Sequence, residues 1–136
     1  MGDFETAHLG QIVTDRFKPV VEDICGADTH QFEPVEITNA NKNEDRHRWW
    51  FVPAVRLFAL RKDLIEPPLN DLGYYPSNKG PSGWHVTFDA SIVDDHPIFC
   101  PGEFLSSPIL VNDDFISAVE AAGLTGLAFR YSFPIG

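Results

Sequence analysis

The sequence predicts an α+β fold: a single domain with a mostly antiparallel sheet of about five or six strands and a helix near each end. Three observations predict it. Two short segments carry apolar residues at helical spacing, the stretches between them run or alternate as strands do, and turn residues punctuate the junctions. At 136 residues the chain is long enough to bury a core without disulfide or metal staples, and one domain over residues 1–136 is expected.

The best-specified stretch is 111–130. Asn112 is a good N-cap, and Asp113 and Asp114 fall in the first turn, where the helix dipole favours negative charge. Phe115, Ala118, Val119 and Ala122 then form one apolar stripe. Val111 and Ile116 have the spacing of a hydrophobic staple. Gly123 suits the left-handed position after a helix, with Leu124 folding back on Val119. Thr125-Gly126 turns the chain, and Leu127, Phe129, Tyr131 and Phe133 alternate as a closing strand should.

Residues 1–13 carry little pattern. Phe17, Val20, Val21 and Ile24 predict a helix over 16–25, with Pro19 tolerated near its first turn and Gly26 ending it. Residues 30–37 read as a strand, with Pro34 marking an edge or bulge. The polar stretch 38–47 has Asn at 39, 41 and 43 and reads as a loop. The run Arg48-Trp-Trp-Phe-Val-Pro-Ala-Val55 predicts a second strand, antiparallel to the first and apolar on both faces. Residues 57–65 read as a strand end and a turn. Pro67-Pro68, Gly73, Pro76, Asn78, Gly80, Pro81 and Gly83 make 66–83 a long irregular loop, in which Tyr74 and Tyr75 are either packed anchors or exposed contacts. Trp84, Val86 and Phe88 alternate inward against His85, Thr87 and Asp89. Asp94-Asp95 make a polar turn before Ile98-Phe99, and 108–111 reads as a short strand.

Twenty acids against ten bases leave a formal charge of −10, with the acids scattered along the chain. That balance argues against nucleic acid or an anionic membrane as partner and suits a basic protein surface as well as plain solubility. No apolar run approaches the ~20 residues of a membrane span. The N-terminus lacks the regions of a signal peptide, so a cytoplasmic location is expected. The two cysteines, Cys25 and Cys100, read as free thiols of a reducing compartment.

Chemistry finds little support. The five histidines (8, 30, 47, 85, 96) show no metal-ligand spacing, so neither a metal nor a cofactor is expected. Asp94-Asp95-His96 reads as a solvated turn, and His85 and Asp89, four residues apart on one strand, stand ~13 Å from each other. No nucleophile elbow, P-loop or dinucleotide fingerprint is present. Catalytic residues are therefore not assigned, and the chain does not read as an enzyme.

The stretch Ile-Leu-Val-Asn-Asp-Asp-Phe at 109–115, Ala118-Val119, and Ala-Ala-Gly-Leu-Thr-Gly-Leu-Ala-Phe at 121–129 resembles the C-terminal signature of one family. This is the immunity-protein family of bacterial polymorphic toxin systems. Ile12-Val-Thr-Asp-Arg-Phe17 is similar to its first helix start, Gln31-Phe-Glu-Pro-Val-Glu-Ile37 to its Phe-x-Pro-Val strand, and residues 49–55 to its aromatic strand. The resemblance covers about residues 12–130. The sequence departs from it at Pro53-Ala54, where the family often has Asn before Val. The resemblance implies a cytosolic antidote that binds and blocks a cognate toxin by stoichiometric complex formation, without catalysis.

A basic toxin would suit the acidic chain. The candidate contact residues are the polar features of the loops: Glu44 and Asp45 in the Asn-rich loop, Asp71, Tyr74 and Tyr75 in the Pro/Gly-rich loop, and Asp94 and Asp95. The alternatives are a small enzyme or ligand-binding domain with a pocket under the 66–83 loop, and a homodimer whose exposed aromatics pair with themselves.

Overall fold

The computed structural model describes residues 2–7, 10–36, 47–76, 83–105, 108–129 and 131–136. These residues form an α+β fold with two sheets, mostly antiparallel as expected. The chain divides into two compact units, the first made of 1–54 and 113–128, the second of 55–112 and 129–136.

The first unit holds a four-stranded antiparallel sheet of order β1-β2-β4-β3, with β1 at Phe4–Ala7, β2 at Gly10–Val13, β3 at Gln31–Glu36 and β4 at His47–Val52. The β1–β2 hairpin lies where the sequence offered little pattern, because its four-residue strands are too short to display a period. The β3–β4 pair is antiparallel as the sequence predicts, with Phe32 opposite Phe51 and Pro34 opposite Trp49. Pro34 sits on an edge strand, where its missing N–H breaks no ladder.

Helix α1 (Phe17–Cys25) and helix α3 (Asp113–Ala121) supply the rest of this unit. Each buries two residues of its predicted stripe, Phe17 and Val21 from α1 and Phe115 and Val119 from α3, while Val20, Ile24 and Ala118 are half-buried and Ala122 is exposed past the end of α3. Phe17 is the centre, with its ring edge-on to Phe51 at 5.4 Å and to Phe115 at 6.1 Å. Each such buried side chain contributes about 1.5–3 kcal/mol by leaving water.

The end of α3 is the predicted Schellman turn. Leu124 N–H donates to Val119 O, Gly123 N–H donates to Glu120 O, and Gly123 has φ +65°. The guanidinium of Arg16, at the start of α1, donates to the carbonyls of Ala122 and Gly123, so a residue of the first helix satisfies the open end of the last.

The second unit holds a three-stranded sheet of order β5-β6-β7, with β5 at Arg56–Leu57, β6 at Ile98–Pro101 and β7 at Leu110–Val111. The β5–β6 pair is parallel and β6–β7 antiparallel. A 3₁₀ turn at Lys62–Leu64 and helix α2 (Ala90–Val93) complete it. Its core joins Ala59, Leu60, Tyr75, Val86, Phe88, Val93, Phe99 and Phe104.

Three expectations need correction. The alternation of residues 84–89 gives the predicted burial, with Val86 and Phe88 inside and His85 exposed, but only isolated bridges from Phe88 and His85 rather than a strand. Asp89 instead caps α2, accepting the backbone N–H and hydroxyl of Ser91. The closing strand does not form among the described residues: Phe129 and Tyr131 are exposed, and the tail hydrogen-bonds to the backbone of Phe88 and Ala90 through Pro134 and Gly136. Finally, β4 is not buried on both faces, since Val52 is 39% exposed and Trp49 and Trp50 are half-buried.

Candidate functional site

Among the predicted contact residues, Glu44 and Asp45 lie outside the described residues. The other five belong to the second unit. Asp71 is exposed, Tyr74 half-buried and Tyr75 buried; Asp94 and Asp95 are exposed in the turn after α2.

The Asp71–Tyr75 segment is more ordered than a Pro/Gly-rich sequence suggests. Asn70 organises it. Its side-chain oxygen accepts the N–H groups of both Leu72 and Tyr74 at 3.0 Å, its backbone N–H donates to Tyr74 O, and its carbonyl accepts Gly73 N–H. This is an Asx turn whose side-chain oxygen also reaches the N–H four residues on, so one side-chain amide is the acceptor for two backbone N–H groups.

Tyr75 then anchors the loop. Its backbone N–H donates to Glu103 O at 2.7 Å, and its hydroxyl donates to Glu66 O while accepting His85 N–H. Its ring packs on Phe104 and Trp84. Of the two readings left open for the tyrosines, Tyr75 is a packed anchor. Its hydroxyl is already engaged inside the unit.

What the loop presents is Leu72, 82% exposed, between Asp71 and Gly73. Sequence reasoning found the 66–83 loop but passed over Leu72 within it. It also passed over Phe58 and Leu105, which are 66% and 82% exposed. No sequence signal separates these from core residues, because an apolar side chain reads as buried by default. Among the described residues, eight of the nine large exposed apolar side chains belong to the second unit, Val52 being the exception.

Charge divides the other way. Thirteen acids and five bases fall in the first unit, seven and five in the second, so that −8 of the net −10 belongs to the first. Exposed carboxylates there include Glu33 and Glu36 on the edge strand β3 and Asp113 and Asp114 at the start of α3.

Asp3 and His30 are buried and hydrogen-bonded within the first unit. Asp3 accepts the Thr14 hydroxyl at 2.7 Å, the Thr125 N–H at 2.9 Å and the Thr125 hydroxyl, with Arg16 at 3.5 Å. Burial opposes its ionisation, yet these donors prevail and hold its carboxyl below the usual aspartate range. His30 Nδ1 accepts Ala54 N–H at 3.0 Å, and burial lowers its pKa. Burial raises the pKa of the Cys100 thiol, and Cys25 and Cys100 are thiols rather than disulfide partners. Among the described residues no three His, Cys, Asp or Glu side chains are grouped to hold a metal ion. No described helix is long and apolar enough to cross a membrane.

A preformed loop with an apolar tip, exposed apolar side chains and a strong excess of carboxylates together define a protein whose surface is suited to binding another protein. The comparison with known families is more specific: residues 2–132 match the Immunity protein family (Imm11), and the chain belongs to that family. No curated protein and no solved structure matches the chain.

Proposed function

We propose that this chain is a cytoplasmic immunity protein that binds a cognate bacterial toxin in a stoichiometric complex and blocks it without catalysis. The observation that carries this reading is the family match over residues 2–132. It spans both compact units, and we take them to act as one immunity domain.

The surface supports the same reading. A toxin with a basic face would be steered by the excess of carboxylates. The 70–75 loop, held by Asn70 and Tyr75, would lose little conformational entropy on docking, so more of its contact energy would appear as affinity. Asp71 and Tyr74 stand beside its tip, and Asp94 and Asp95 are free of the core. Glu44 and Asp45 are carried as further contacts.

Co-expression with the toxin encoded beside it should restore growth, and the two purified proteins should elute as a one-to-one complex. Rescue with no complex at micromolar protein would reject the stoichiometric mechanism. Reversing Asp94 and Asp95 to Lys should slow association on the order of tenfold at low salt; an unchanged rate would remove both from the interface.

A further inference from the structure

The three most exposed large apolar side chains among the described residues are Leu72, Leu105 and Phe58. They come from three segments far apart in sequence. All three segments meet at one residue, Glu103.

Glu103 is 3% exposed. Its backbone carbonyl accepts Tyr75 N–H at 2.7 Å, which ties in the loop that presents Leu72. Its carboxylate Oε2 accepts Leu60 N–H at 3.0 Å, which ties in the segment of Phe58. Leu105 follows two residues later on the same strand of chain. Gly102, next to it, donates its N–H to Leu57 O, and the Phe58 ring lies so close that a Cβ at Gly102 would stand 2.6 Å from it. Arg56 closes the other side, its guanidinium donating to the carbonyls of Gly102 and Phe104.

A carboxylate among Leu60, Tyr75 and Phe104 is an expensive way to join segments, and its Oε1 meets no hydrogen-bond partner. The ties fix the backbone of three segments whose side chains Phe58, Leu72 and Leu105 stay exposed. Exposed apolar side chains on segments tied to one buried residue are candidates for a surface of association.

We propose that Phe58, Leu72 and Leu105 are the anchors of a protein-docking surface, and that Glu103 is the positioning residue that holds their three segments together. The occupant is the cognate toxin, through a face with apolar hollows and a basic rim. This rests on the immunity reading above. Charge decides between occupants: the unit that holds the three anchors has seven acids against five bases, a second copy would add the same excess to a chain already at −10, and a basic rim would meet Asp71 beside Leu72.

The test uses the full chain against the purified toxin domain encoded beside it, with association and dissociation followed separately. Phe58→Ser, Leu72→Ser and Leu105→Ser should each raise the dissociation rate on the order of tenfold, leave association within about threefold, and leave the thermal midpoint in place. Glu103→Leu, which removes the acceptor for Leu60, should raise it similarly. Glu103→Gln, which keeps an acceptor, should restore it, whereas a purely structural Glu103 would alter stability and not dissociation. A wild-type complex from which the three Ser variants dissociate at the wild-type rate overturns the proposal and leaves the immunity reading standing. No wild-type complex at all overturns both. Sedimentation of the chain alone should give a monomer; a dimer that Phe58→Ser dissolves would assign the patch to a second copy and remove the toxin from it.

Discussion

Asp3 and His30 are buried for opposite electrostatic reasons. The carboxylate of Asp3 is stabilised in the fold, since the donors from Thr14, Thr125 and Arg16 outweigh the cost of burial. Its contribution is complete above the unfolded pKa of 3.8 and is lost as pH falls through the lower folded value. His30 is held neutral by burial, with Nδ1 occupied by Ala54 N–H. Because its folded pKa lies below 6.5, the unfolded chain takes up the proton first, and stability declines as pH drops through that region. Thermal midpoints measured from pH 8 to pH 3 should therefore fall in two stages. His30→Gln should flatten the upper stage and leave the lower. Asp3→Ala should cost on the order of 3 kcal/mol by denaturant titration, because it strands the partners of a buried charged group.

At the level of elements, the turn after α3 separates two roles of glycine. Gly123 occupies the left-handed Schellman position, and a Cβ there would have open surroundings, with Arg16 Nη2 nearest at 3.7 Å. Gly126 also has positive φ, at +87°, and a Cβ there would collide with the carbonyl oxygen of Phe4. Gly123→Ala should cost about 1 kcal/mol through backbone conformation alone. Gly126→Ala should cost at least twice that, since the β1 backbone must move as well. Equal costs in chemical denaturation would show that the approach of Gly126 to Phe4 contributes nothing.

For the whole molecule, the separation of charge from exposed apolar surface sets an expectation for kinetics. Twenty acidic residues would matter little if bases matched them; here the excess is −10, and −8 belongs to one unit. Such a field acts at a distance and accelerates encounter, whereas short-range apolar contact governs escape. Raising salt from about 0.05 M to about 0.5 M should slow association with the toxin on the order of tenfold and leave dissociation nearly constant. Dissociation that accelerates instead would place the carboxylates in close contact with the partner.

Local chemistry was enough to specify some pieces of this protein. Helices α1 and α3, the Schellman ending and the β3–β4 pairing follow from spacing, capping and turn residues that act within a few positions of one another. The family resemblance could be read for the same reason, since the residues that carry it lie in these elements, and the match over residues 2–132 agrees with it. Tertiary structure decided what alternation could not. Residues 127–133 have the period of a strand, yet a strand needs a neighbour with free backbone groups, and among the described residues the tail meets one at Phe88 and Ala90, beyond that stretch, through Pro134 and Gly136. Tyr75 and Leu72 are three residues apart in a loop; one is buried and the other exposed because the amides around them are held by Asn70 and Glu103. Which apolar side chains face water depends on partners distant in sequence, and that is where the proposed docking residues lie.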